Sequence, residues 1–214
     1  NIDKVDAIVM DFRSNGGGSL LEAIDLTGLF IDKGPVVQVK DLDGGVSVND
    51  DEDPGAIWTG PLGVLVDRLS ASASEIFAGA IQDYGRGVVF GTQTYGKGTI
   101  QSVIDLNRIV KPNILVQIAT AISSSTTSKS VDGKLEIPEL GQISLTMGKF
   151  YRISGGSTQH KGVVSDISFP SLYPLDKVGE DTEPSALPYD MVNKSTYQRA
   201  GNLQTALPIL TKAH

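Results

Sequence analysis

Over its first 110 residues the chain alternates between short unbroken apolar runs and longer stretches of helical period. Ala7-Ile8-Val9-Met10, Gly63-Val64-Leu65-Val66 and Gly87-Val88-Val89-Phe90 have the continuous hydrophobicity of strands buried on both faces. Between the first two, Leu21, Ile24, Gly28 and Ile31 recur with helical spacing and predict a helix over Ser19–Ile31, ended by Gly34-Pro35. Between the second and third, Ile76, Ala80 and Tyr84 repeat every four residues, joined by Phe77 and Ile81. They predict a helix that starts at the turn Ser70–Glu75. Val36–Val39, Thr99–Leu106, Leu115–Ile122 and Lys149–Ile153 read as further strands. The acidic, glycine-rich stretch 41–56 and the Ser/Thr-rich stretch Ser123–Ser130 read as surface loops. After residue 170 the prolines Pro170, Pro174, Pro184 and Pro188 break regular structure, and short helices are expected between Thr196 and Lys212. Alternating strands and helices imply an α/β core with parallel pairing. The expected organisation is a core over 1–170 and a small C-terminal extension over 171–214.

Composition narrows the chemistry. With 214 residues the chain can hold one sizeable core. A net charge of −7 and a pI near 4.8 argue against nucleic acid as a partner, since phosphate binding needs a basic face. The absence of cysteine excludes disulfides and thiolate zinc sites. Only two histidines are present, His160 and the terminal His214, which leaves no multi-histidine metal site and one histidine for any Ser-His-Asp arrangement. His160 reads as a surface or half-buried residue. No apolar run approaches the roughly 18 residues of a membrane span. Opening on Asn1-Ile2-Asp3 and entering a strand almost at once, the chain reads as a segment of a longer protein.

Three places carry candidate chemistry. Gly16-Gly17-Gly18 lies between a strand and a helix, where exposed N–H groups serve as a tight turn, a phosphate cradle or an oxyanion site. Ser72 stands at the start of a helix, as a cap or as a nucleophile. Lys97 lies between Gly96 and Gly98, as a solvated side chain or as a base. A fourth stretch, Asn49-Asp50-Asp51-Glu52-Asp53, lacks the regular ligand spacing of a calcium loop.

Taken together, Asp11-Phe12-Arg13-Ser14-Asn15-Gly16-Gly17-Gly18, Val66-Asp67-Arg68-Leu69-Ser70-Ala71-Ser72-Ala73-Ser74-Glu75-Ile76 and Thr94-Tyr95-Gly96-Lys97-Gly98-Thr99-Ile100-Gln101 resemble, in order, the hallmark blocks of the carboxyl-terminal processing serine proteases. Phe150–Asp166 is similar to the segment that closes that core. Gly179-Glu180-Asp181 and Ala186-Leu187-Pro188-Tyr189-Asp190 resemble the periplasmic, tail-specific branch of the family. The resemblance implies a fold related to crotonases and the Clp peptidase. It also implies Ser72 as nucleophile, Lys97 as base, and the N–H groups of Gly18 and Ala73 as oxyanion hole. A lysine base must be neutral to act, which calls for a desolvated amine.

Within the family an aspartate and a glutamine both stand as partners of the lysine, here Asp83 and Gln101. Asp83 is eleven residues beyond Ser72 on one helix, roughly 16 Å away at 1.5 Å per residue, so a lysine touching Ser72 does not reach it; Asp83 is read as structural. Gln101 would lie about 13 Å along a straight strand from Lys97, so an orienting role for Gln101 requires the backbone to turn after Lys97. The resemblance further implies protein or peptide substrates with unstructured, apolar C-termini, membrane-associated ones included. It implies no metal or organic cofactor, and a place in the periplasm of a Gram-negative bacterium, attached or not to the inner membrane. No PDZ-like segment is read in this stretch. Two other classes stay open: a catalytically silent peptide-binding scaffold, and an acyl-CoA enzyme on the related crotonase fold, which the acidic pI and the placement of Lys97 disfavour.

Overall fold

A computed structural model describes residues 5–110, 112–125, 139–200 and 203–213. It divides into two compact units, one formed by 1–100 with 148–214 and the other by 101–147. In the first unit, β1 (Ile8–Asp11), α1 (Leu20–Gly28), β2 (Gly34–Asp41), β3 (Val46–Asp51), β4 (Leu62–Val66), α2 (Ala73–Tyr84) and β5 (Val88–Gly91) follow in order. β6 (Thr99–Asp105) leads into the second unit, which contains α3 (Leu106–Ile109), α4 (Pro112–Ser125) and the first part of β7 (Gln142–Tyr151). The chain then returns through β8 (Ile167–Ser168) and a single 3₁₀ turn at Glu180–Thr182 to α5 (Leu203–Ala213). Among the described residues no helix is long and apolar enough to cross a membrane.

The apolar runs form, with β8, a parallel sheet in the order β1-β4-β5-β8; the first run, expected to be buried on both faces, is the edge strand β1, whose Val9 is 61% exposed. The expected α/β architecture is met. β2 pairs antiparallel with β3 and with the Gly148–Tyr151 end of β7. Helix α2 is buried on nearly every side. Ile76, Ala80 and Tyr84 pack with Ala23, Ile24, Val36, Val37 and Phe150 in one cluster. Phe77, Ala78 and Ile81 pack with Val64, Val66 and Val89 in the other. Buried on both sides, this helix belongs inside the core, and it carries the candidate nucleophile at its N-terminus. Gly85, in the left-handed region at φ 62°, ends it: its N–H and that of Arg86 return to the last turn.

Three further expectations are corrected. Residues 46–51, expected within a surface loop, form strand β3. Asp41 and Gly44-Gly45 close the β2–β3 hairpin, with the Gly45 N–H bound to Asp41 Oδ1 at 2.7 Å. Charged residues suit an edge strand, and here they masked the Val46–Val48 alternation. Leu115–Ile122, expected as a strand, lies in helix α4. Pro112 stands at its first position, and the buried pair Leu115 and Ala119 is four residues apart. Leu21, assigned to the inner face of α1, is exposed; that face is Ala23, Ile24 and Thr27. Of the expected loop Ser123–Ser130, residues 123–125 end α4 and the rest lie outside the described residues.

Candidate active site

Ser72 sits where the chain leaves the parallel sheet and enters α2. Its backbone is at φ 56°, ψ −115°, a region that costs a non-glycine residue about 1–3 kcal/mol unless its surroundings hold it there. The surroundings do hold it. The Ser72 N–H donates to Glu75 Oε2 at 2.8 Å, the reach-back half of a capping box. The Ala71 N–H donates to the Asn15 carbonyl at 3.0 Å, and the Ser74 hydroxyl to the same oxygen at 3.1 Å. A nucleophile on a strained strand-to-helix turn stands clear of the sheet for attack.

The triple-glycine loop lies directly against this turn. A Cβ on Gly17 would stand 2.7 Å from Ser72 Cβ and 3.0 Å from Ala73 N, and Gly17 adopts φ 106°. Only glycine fits there. Next to it is the N–H of Ala73, the first of α2 and without an intrahelical acceptor. Among the described residues neither the Ala73 N–H nor the Gly18 N–H has a protein acceptor. One free donor thus lies in the glycine loop, and the other at the positive end of the helix that Ser72 opens.

Lys97 is held through its backbone. All five N–H groups and all five carbonyls of Thr94–Gly98 are hydrogen-bonded. The N–H groups of Thr94 and Tyr95 go to Val163 O and Ser70 O. Those of Gly96 and Lys97 go to the two oxygens of Glu75, and that of Gly98 to Gln159 Oε1. The carbonyls accept in turn from Arg68, Glu180, His160, Thr158 and Phe150. A loop with no unpaired backbone group fixes where the lysine side chain starts. His160 contributes through its backbone N–H, 2.8 Å from Gly96 O, while standing half-buried at φ 64°.

Glu75 joins the two halves. It is 0% exposed. Its Oε2 accepts from Ser72 N–H at 2.8 Å and from Lys97 N–H at 3.0 Å, so the two backbone nitrogens can be no farther apart than the sum of those lengths. Its Oε1 accepts from the Thr94 hydroxyl at 2.6 Å and Gly96 N–H at 2.7 Å. Burial pushes this carboxyl up to about 7, against the pull of those four donors. In the sequence Glu75 and Thr94 stand only as members of the motifs around Ser72 and Lys97. The spacing Ser72-x-x-Glu75 is a capping-box signature and was the signal for the first.

Asp83 is buried three turns along α2 from Ser72. It holds Arg152 through two hydrogen bonds of 2.6 and 3.1 Å and accepts from the Ser154 hydroxyl at 3.0 Å. Gln101 begins the second unit, where it is exposed and accepts from the Ser144 hydroxyl at 3.4 Å. Near the glycine loop, Phe12, Ala23, Leu26, Ala73 and Phe77 line an apolar cavity of about 140 Å³ that Gly18 borders.

Comparison with known proteins identifies the family. The sequence model of peptidase family S41 matches residues 1–169. The tail-specific protease of Haemophilus influenzae is 42% identical over 99% of this chain, which spans 28% of that protein's length. The chloroplastic carboxyl-terminal-processing peptidase 2 of Arabidopsis thaliana is 46% identical over 49% of the chain and 21% of its own length. Among solved structures, the photosystem II D1 C-terminal processing protease superposes with a TM-score of 0.57 at 30% identity, over 82% of this chain and 38% of its own. The chain therefore spans under a third of the curated relatives it matches, and it belongs to peptidase family S41.

Proposed function

We propose that this chain forms the catalytic core of a serine endopeptidase that cuts protein substrates near apolar, unstructured C-terminal tails, with Ser72 as nucleophile and Lys97 as base. The observation that supports it most is the shared Glu75 oxygen. One buried carboxylate ties the backbone of the serine to that of the lysine, beside two N–H groups left free for an oxyanion. In the reaction, Ser72 Oγ bonds to the scissile carbonyl carbon while its proton passes to Lys97 Nζ. The carbonyl oxygen, now negative, accepts from the N–H groups of Gly18 and Ala73. One such donor typically contributes roughly 2.7–4 kcal/mol to lowering the barrier. The C–N bond then breaks, Lys97 returns the proton to the leaving amine, and water releases the acyl group by the same route. Asp83 is assigned as structural, its carboxylate being taken up by Arg152 and Ser154.

The apolar cavity bordered by Gly18 and Ala73 fits a small aliphatic side chain just before the cut bond. Substrates of this kind include membrane-associated proteins. The likeness to the Haemophilus protease supports a place in the bacterial periplasm. The test is hydrolysis of a peptide with an apolar C-terminus by the full-length protein, together with fluorophosphonate labelling. Wild type should cleave and take the label on Ser72, and Ser72→Ala and Lys97→Ala should do neither at a comparable rate. Absence of both cleavage and label in the wild type would favour the silent scaffold.

A further inference from the structure

Beyond residue 169, where the family match ends, the chain lies back across the turn that carries the nucleophile. The contact centres on Arg68, four residues before Ser72. Its side chain is only 1% exposed, and burying a guanidinium is costly unless its donors are satisfied. One acceptor belongs to the lysine loop: Arg68 Nη1 donates to Thr94 O at 2.6 Å. The other three belong to the segment Leu175–Asp181. Nη2 donates to Leu175 O at 3.1 Å and to Asp181 Oδ1 at 2.6 Å, and Nε donates to Val178 O.

The same segment reaches the lysine loop twice more, once directly and once through Gln159. The Glu180 N–H donates to Tyr95 O at 2.9 Å. The Glu180 carboxylate accepts from Gln159 Nε2 at 3.1 Å, and the other end of that amide accepts the Gly98 N–H at 2.8 Å. Gly179 lies so close to the guanidinium, at φ 141°, that a Cβ there would stand 2.1 Å from Arg68 Nη2. The segment is fitted around the arginine and does not merely lie over it.

We propose that Arg68 and the segment Leu175–Asp181 form a positioning clamp for Lys97, so that residues outside the matched family core complete the catalytic arrangement. This rests on the Ser72–Lys97 reading above. If the segment leaves, Arg68 loses three of its four acceptors at once, Tyr95 O loses its donor, and Gln159 loses the group that orients its amide. The loop keeps its bonds to Glu75, Val163, Ser70, His160, Thr158 and Phe150 but loses those that fix Tyr95 O and orient Gln159, and Lys97 drifts relative to Ser72. None of these groups lines the apolar cavity beside the glycine loop, so the loss falls on turnover and leaves binding alone.

The experiment uses the full-length protein with Arg68→Lys and Asp181→Ala, and with Lys97→Ala as reference. It measures kcat and KM on a peptide with an apolar C-terminus and the rate of fluorophosphonate labelling of Ser72. Lysine keeps the charge but not the planar fork of donors. Arg68→Lys should lower kcat about 100-fold, the scale of a roughly 1 Å misplacement. Asp181→Ala, with a side chain 40% exposed in the wild type and so tolerated by the fold, should lower it about tenfold by loss of one charged hydrogen bond. KM should stay within about threefold, since neither residue lines the apolar cavity. Should Arg68→Lys fail to fold, Asp181→Ala decides alone. The clamp is overturned if Asp181→Ala keeps wild-type kcat while Lys97→Ala is inactive, or if its loss lies in KM alone. Full hydrolysis by Lys97→Ala would overturn the Ser72–Lys97 reading itself, and the clamp with it.

Discussion

Replacing Glu75 by glutamine tests the core of the site with almost no change of shape. The amide has one acceptor oxygen where the carboxylate had two. Its cheaper orientation keeps that oxygen toward the N–H groups of Ser72 and Lys97 and turns the NH₂ toward Thr94 and Gly96. The Thr94 hydroxyl can switch to accepting, but the Gly96 N–H cannot. One buried N–H is orphaned, at about 1–3 kcal/mol. The two bonds that remain lose their charged acceptor, at about 1 kcal/mol each. The total is about 3–5 kcal/mol, below the usual reserve of a folded domain, so the variant folds. Expressed wholly as misalignment, it lowers kcat at least about 100-fold. Expressed wholly in the fold, it lowers Tm by about 6–20 °C for a unit of this size. Peptide hydrolysis and calorimetry on the same full-length preparation divide it between the two. A Glu75→Gln protein with kcat within twofold and Tm within a degree of wild type would refute the tie between serine and lysine.

Other outcomes follow from neighbouring contacts. Since the folded-state value of Glu75 is raised from 4.5 to about 7, its contribution to stability, about 3 kcal/mol, is complete below pH 4.5 and lost as pH rises through 7. Between pH 8 and 6 wild-type kcat should fall while the stability difference between wild type and Glu75→Gln moves in favour of wild type; parallel pH profiles of kcat and Tm check the opposition. Thr94→Val strands the Val163 N–H, which donates to Thr94 Oγ1 at 2.7 Å, and should cost about 1–3 kcal/mol in denaturant titration, with Thr94→Ser restoring most of it. Asp83→Ala leaves Arg152 unpaired in a buried setting and should cost about 3–5 kcal/mol. The fraction of protein that takes a fluorophosphonate should then track the folded fraction; an inactive Asp83→Ala of unchanged stability would give Asp83 a part in the chemistry. Leu26→Ala enlarges the apolar cavity and should shift preference before the cut bond from small aliphatic residues toward leucine and phenylalanine, as read by competing peptides.

What the sequence made legible follows from the range of the forces involved. Parallel strands buried on both faces write themselves as Val64-Leu65-Val66 and Val88-Val89-Phe90, and α2 as a four-residue apolar repeat, because each records one local environment. β3 was hidden because an edge strand is selected against sticking, so its charges resemble a loop's. α4 was misread because β-branched Ile114, Val116 and Ile118 favour a strand locally, while burial of Leu115 and Ala119 decides for a helix. At the site, Ser72 and Lys97 could be named from motifs, since each motif is contiguous. The contacts that bring them together could not: Glu75, visible as a capping-box residue, reaches N–H groups 21 and 22 residues away in Gly96 and Lys97, and Arg68 reaches carbonyls more than 100 residues away in Leu175 and Val178.

That division has a chemical reason. A lysine base must keep its amine free to take and return a proton, so the fold cannot fix it by binding the amine. The available alternative is to fix the backbone beneath it, and every polar backbone group from Thr94 to Gly98 is engaged. The serine presents the complementary problem, a strained backbone whose hydroxyl must stay available, and its N–H is anchored while the strain persists. Both constraints converge on a single carboxylate oxygen, because an ionised acceptor with two lone-pair directions can hold two N–H groups without touching either reacting atom. The carboxylate is kept dry by the two apolar clusters around α2, which makes each of its bonds stronger and its protonation easier. The strength of the alignment and its sensitivity to acid therefore have the same origin, and a surface-exposed carboxylate at this position would supply neither.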